Sequence, residues 1–266
     1  MTCEPGDNLN STERSATNSI DNPNRTSVRP PFRWFYMGIA VFMTVLVLNG
    51  FGPGYFFPLL GGNVPEVHWV IHLHGAIFIG WMALLLIQVA LVALGKTSSH
   101  RKLGSVGIAY GFSVLLMGLI AGFVTPVLHV SSGEWDVDRA AGFLLVILGD
   151  MALWGGFFGA EVFYRRKPQI HKRLILLATV ALLFAAIGRN QPIEPLILQL
   201  AVWLSPILLA MAFDLWSRKR IHPAYLIGTA ILLIAYLRIP LRTSEVWLAV
   251  GRPIIEVLLR LSERVS

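Results

Sequence analysis

The sequence predicts an all-α protein: a seven-transmembrane helix bundle with a disordered N-terminal tail and a C-terminal amphipathic helix. Three observations predict it. Only 14% of the 266 residues are charged while 55% are hydrophobic, against about 25% charged in a soluble domain. Too little polar surface remains to cover a water-soluble globule. Several apolar runs approach the roughly 20 residues that cross a bilayer. Basic residues then gather in every second connection: Lys96, Arg101 and Lys102; Arg165, Arg166, Lys167, Lys172 and Arg173; Arg218, Lys219 and Arg220. The connections around Gly50–Val67, Val130–Arg139 and Arg189–Pro195 are nearly free of Lys. Positive loops stay on the cytoplasmic side, so this alternation predicts a cytoplasmic N-terminus and a periplasmic C-terminus.

Residues 1–32 are rich in Asn, Ser, Thr, Asp and Pro, and read as a disordered cytoplasmic leader. With no apolar run near Met1, no cleavable signal is expected, and the first span itself directs insertion. The membrane domain occupies residues 33–240. Its first span covers Arg33 to Asn49 and extends to Leu60 if the chain passes the break at Gly52-Pro53-Gly54. The second covers Pro65 to Leu94, with Pro65 suited to a first helical turn. The third covers Leu103 to Leu128, the fourth Ala140 to Tyr164, the fifth Lys172 to Gly188, the sixth Pro195 to Leu215 and the seventh Pro223 to Leu237.

Glycines 104, 111, 118 and 122 form a stripe on the third span, and Gly155 and Gly159 a shorter one on the fourth. Such stripes admit a neighbouring helix, so a membrane-protein partner could pack there. Residues 241–266 form an amphipathic surface helix, with Trp247, Val250, Ile254, Leu258 and Leu261 on one face. Arg252, Glu256 and Arg260 stand at four-residue steps that favour pairing, and Pro253 should kink or restart the helix.

The net charge of +7 lies at span ends, where it meets lipid headgroups. The expected partner is therefore the bilayer and not nucleic acid, since no basic domain stands apart from the spans. Cys3 is the only cysteine, which excludes an internal disulfide or a Cys-X-X-Cys redox pair.

Ionisable residues inside spans are the functional suspects. His74, Trp81 and Gln88 recur every seven residues on the second span, and Asp150, Trp154 and Glu161 share a face of the fourth. Asp150 lies about 15 Å into its helix at 1.5 Å per residue, near the midplane. A carboxylate there must be neutral, paired or wet. His74 is its expected partner and Arg189 the second choice, giving a proton-linked or ligand-binding set of His74, Asp150, Trp81, Gln88 and Trp154. Glu161 is expected to pair with Arg165 and Arg166.

His68 and His72, four apart, have the spacing of a metal-chelating pair, or anchor the interface beside Trp69. A single haem held by His72 or His74 together with His129 is also compatible with the spacing, whereas a stacked pair of haems is not. A haem or a metal ion is thus a possible cofactor. His100 with Arg101, His171 with Lys172 and Arg173, and His222 repeat a histidine among cations at the basic loops. They read as contacts to lipid headgroups or to another anion. No phosphate-cradling loop, Gly-X-Ser-X-Gly turn or His-Glu-X-X-His motif is present.

Leu73-His74-Gly75 with Trp81 and Gln88, His100-Arg101-Lys102-Leu103-Gly104, His171-Lys172-Arg173-Leu174, and Asp214-Leu215 before Arg220-Ile221-His222-Pro223 resemble a group of bacterial polytopic membrane proteins. The resemblance runs from about Val67 to Arg242 and implies the bacterial inner membrane. It implies no particular reaction. Three functions fit these residues: a redox or cofactor-binding membrane protein, a proton-linked small-molecule transporter or binding module, and a structural or assembly subunit.

Overall fold

In the computed structural model, which describes residues 34–189 and 196–264, every regular element is a helix. Seven helices are long and apolar enough to cross a membrane: α1 (Phe35–Leu60), α2 (Trp69–Ala93), α3 (Thr97–Ser131), α4 (Val137–Phe163), α5 (Pro168–Arg189), α6 (Ile197–Arg218) and α7 (Pro223–Leu241). An eighth, α8 (Glu245–Glu263), follows. The leader, residues 1–32, and the α5–α6 connection, residues 190–195, lie outside the described residues.

Several boundaries differ from the sequence reading, each for a local reason. Gly52-Pro53-Gly54 does not break α1. A π-helical turn, Gly52–Phe56, takes up the proline, with the Phe57 N–H reaching back to the Gly52 carbonyl, and the wider turn leaves room for its ring. α2 starts at Trp69 and not at Pro65, because His68 caps it, its Nδ1 accepting from the Val70 N–H at 3.3 Å. α3 begins at Thr97 and α5 at Pro168. His100 and His171 therefore project from helical turns, which fixes their direction.

The basic connections α2–α3, α4–α5 and α6–α7 share one end of the bundle, here the basic end. α5 is the central helix, with 61% of its apolar window buried, and it packs against α1, α4, α6 and α7. Gly50 of α1 lies against the Ala186 backbone, where any side chain would collide. The glycine stripe of α3 serves the same purpose within the chain. Phe158, Met151 and Ile147 of α4 occupy the space beside Gly111, Gly118 and Gly122. That corrects the expectation of a partner protein on this seam. Gly155 of α4 faces Leu115, and Gly159 faces open space.

α8 does not merely lie on the surface. It packs on α4 and α3 through Leu248, Gly251 and Ile255, with Trp247 Nε1 donating to the Ala141 carbonyl at 2.8 Å. The buried stripe is rotated from the expected one, leaving Val250 and Leu261 exposed. Arg252 pairs with Asp138 at 2.5 Å and Glu245 at 3.2 Å, not with Glu256. Pro253 sits inside an unbroken helix.

Candidate functional site

Three carboxylates are buried among the described residues: Asp150, Glu161 and Asp214. Two are held by arginine. Arg173 of α5, fully buried, forks onto Asp214 of α6, its Nη2 lying 2.6 Å from both carboxylate oxygens and its Nε 3.1 Å from Oδ2. The other edge of the guanidinium donates to the Gln169 carbonyl at 2.6 Å. Asp214 also accepts from the His222 N–H at 3.4 Å. The guanidinium lies over the Tyr225 ring, whose hydroxyl meets that of Tyr36, and Lys172 lies over Tyr36. Arg173 is thus a strut joining α5 to α6, and not a headgroup contact as its place in a basic run suggested. Burial of the whole guanidinium is tolerable only because its donors are met.

Asp150 of α4 is engaged by Arg238 of α7, not by His74 or Arg189. Gly149 leaves room for the arginine stem, and the guanidinium lies over Phe184 while donating to the Ala235 carbonyl at 2.8 Å. His74 leans instead on Phe78, with ring centroids 4.1 Å apart, and toward the Met117 backbone of α3. Depth along the helices was readable from residue spacing. The direction Asp150 faces was not, since α7 supplies its partner from 88 residues away.

Glu161 is different. Its Oε1 lies 2.7 Å from Nδ1 of His171 on α5, close enough for charge attraction though not aligned as a directed hydrogen bond. Its expected partner Arg165 turns to the Val162 carbonyl. The His171 ring stands edge-on to His100 of α3, with centroids 6.3 Å apart. Gln88 of α2 completes the group. With its amide oriented to suit its neighbours, it donates to His100 Nδ1 at 2.6 Å and to the His100 carbonyl at 3.2 Å, and accepts from the Gly104 N–H at 2.9 Å. A donor aimed at Nδ1 requires that nitrogen to be bare, so neutral His100 carries its proton on Nε2. Four consecutive spans, α2 to α5, thus each contribute one polar side chain at the basic end.

The remaining candidates have local roles. Trp81 and Trp154 meet edge to face at 4.6 Å, Trp154 stacks on Phe158, and Trp81 Nε1 donates to Thr179 at 3.4 Å. They are core. His72 Nδ1 meets the Tyr55 hydroxyl at 2.7 Å. His129 Nδ1 lies 2.7 Å from Glu134, and its ring stacks on Trp135. No three His, Cys, Asp or Glu side chains among the described residues gather to hold a metal, so His68 and His72 lack a third ligand of that kind. No contact joins His72 or His74 to His129. Arg101 is exposed. His222 caps α7, its Nδ1 accepting from the Ala224 N–H at 3.1 Å. Burial first, and then the Arg173 charge, holds its imidazole below the usual histidine range.

Comparison of the chain with protein-family models, with curated proteins and with solved structures gave no match.

Proposed function

We propose that this membrane protein is a proton-linked small-molecule transporter or binding module of the bacterial inner membrane, with its basic end in the cytoplasm. One observation carries the reading. Of the three buried carboxylates, Asp150 and Asp214 face arginines, which keep their protons at any working pH. Only Glu161 of the three has a histidine ring nitrogen within ion-pair distance, and histidine is the side chain whose charge changes near neutrality. A proton can therefore enter or leave at Glu161–His171 without leaving an arginine unpaired.

The pair joins α4 to α5, and His100 with Gln88 extends it to α3 and α2. When charged, the pair adds an electrostatic tie to the packing of α4 on α5 at this end. The 6.3 Å between rings is too long for direct transfer, so passage to His100 needs ring movement or a bridging water.

Everted membrane vesicles containing the protein test the reading. Fractions of a low-molecular-mass cell extract are added while a dye follows the imposed pH gradient. One or more fractions should dissipate the gradient with the wild-type chain and not with Glu161→Gln. If no fraction does so, or if Glu161→Gln behaves as wild type, the proposal fails.

A further inference from the structure

An open groove runs along the lipid-facing side of α4, α5 and α7. Its walls are Ala152, Gly156 and Ala160 on α4 and Ile227, Gly228 and Ile231 on α7, with Leu174 of α5 in its floor. It encloses about 400 Å³, within the usual range of roughly 300–1,000 Å³ for ligand sites, and its lining is almost wholly apolar. A Cβ added at Gly156 would meet nothing within 4 Å, so the space is real and not filled by a neighbouring side chain. The lining ends at Ala152 and Ile231, and farther along the same two helices Arg238 of α7 joins Asp150 of α4.

Length decides the occupant. From Ala152 to Tyr164 the groove follows twelve residues of α4, or about 18 Å at 1.5 Å per residue. That matches one leaflet of a hydrocarbon core about 30 Å thick. A partner's transmembrane helix would need a seam through the whole core, whereas a single hydrocarbon chain needs one leaflet. Charge then decides the headgroup. The groove ends at Tyr164 and Ile170, and the exposed Arg165, Arg166 and Lys167 lie between them in sequence. Lys167 Nζ sits 5.5 Å from the centre of the Tyr164 ring. Among the described residues, no carboxylate pairs with these three cations.

We propose that this groove is a lipid site: it holds one acyl chain of an anionic phospholipid, whose phosphate meets Arg165, Arg166 and Lys167. The site is separate from the Glu161–His171 pair and does not depend on its role. Occupancy bridges α4 and α7 at the basic end, away from their contacts at Arg238 and Arg242.

Native mass spectrometry of the full-length protein tests this, after delipidation in mild detergent and addition of dioleoylphosphatidylglycerol or dioleoylphosphatidylcholine. The wild-type chain should retain one phosphatidylglycerol in preference to phosphatidylcholine. Gly156→Leu places its side chain in open space, so the protein should still fold, and retention should drop about tenfold. The triple variant Arg165→Gln, Arg166→Gln, Lys167→Gln should bind both lipids equally. Unchanged retention by Gly156→Leu would overturn the site, as would equal retention of both lipids by the wild type or a co-purifying protein whose cross-links fall on Gly156-facing positions.

Discussion

Gln88 Nε2 points at His100 Nδ1 from 2.6 Å, a contact that fixes which nitrogen of the imidazole carries the proton. ¹⁵N NMR of labelled protein in detergent should show neutral His100 with the proton on Nε2. Gln88→Leu removes the donor and should give a mixture of the two tautomers, with His171 unaffected. An Nδ1–H signal in the wild type would contradict the arrangement.

Arg173 and Asp214 form the most enclosed ion pair among the described residues, with 0% and 1% of their side chains exposed. Removing one partner strands a charge, so Arg173→Met should cost about 3–5 kcal/mol. The double variant Arg173→Met, Asp214→Leu leaves no buried charge unpaired, since Arg218, which also neighbours Asp214, is 39% exposed, and it should recover most of that loss. Thermal and denaturant unfolding in detergent would measure both. A double variant as unstable as the single one would mean that the pair is needed for more than mutual neutralisation.

The seven spans were legible because charge fraction, apolar length and Lys/Arg alternation all report the same thing, a chain threading lipid. The site was only half legible. Intramembrane His and Glu stand out by type, and His100, His171 and Gln88 were singled out. Their joining with Glu161 depends on rotations of four helices about their own axes. Near-uniform apolar faces do not report rotation: α1 to α3 are apolar all round, so periodicity carries little direction. Two signals were available and outvoted. Glu161 and His171 lie ten residues apart across one tight connection, so they are bound to be near each other. Arg238 stands at the same depth as Asp150, but in the sequence it opens a series of C-terminal arginines with Arg242 and Arg252, which hides it as an intramembrane partner.

Asp150→Asn distinguishes structural from proton-handling carboxylates. Because Arg238 holds Asp150, the substitution leaves a buried guanidinium unneutralised and should lower stability by about 3–5 kcal/mol. Under the proposed role of Glu161, it should not alter the pH profile of gradient dissipation. Comparing melting with vesicle assays on surviving protein decides it. A changed profile at normal stability would move the proton site to Asp150.

Gly118 accommodates Met151 of the adjacent helix at a distance no Cβ could share. Gly118→Val should therefore overpack the α3–α4 seam and cost about 1–3 kcal/mol, with the oligomeric state unchanged. Light scattering and thermal melts read the two quantities separately. Loss of an oligomer without loss of monomer stability would return this seam to a partner.

His222 gives the protein a pH-dependent element at the basic end. Its neutral Nδ1 caps α7 by accepting from the Ala224 N–H, and its pKa is held down by burial and by Arg173. In the unfolded chain the imidazole takes up its proton at its ordinary value of about 6.5, while the folded chain resists until a lower pH. Between those two values the unfolded state binds more protons, so stability rises with pH there. The contribution is complete above about pH 6.5 and declines as pH falls through that value toward the depressed one. His222→Asn keeps an N-cap acceptor without a titrating group. Melting curves from pH 8 down to pH 5 should fall less steeply for the variant than for the wild type, and parallel curves would show that the cap does not titrate in this window.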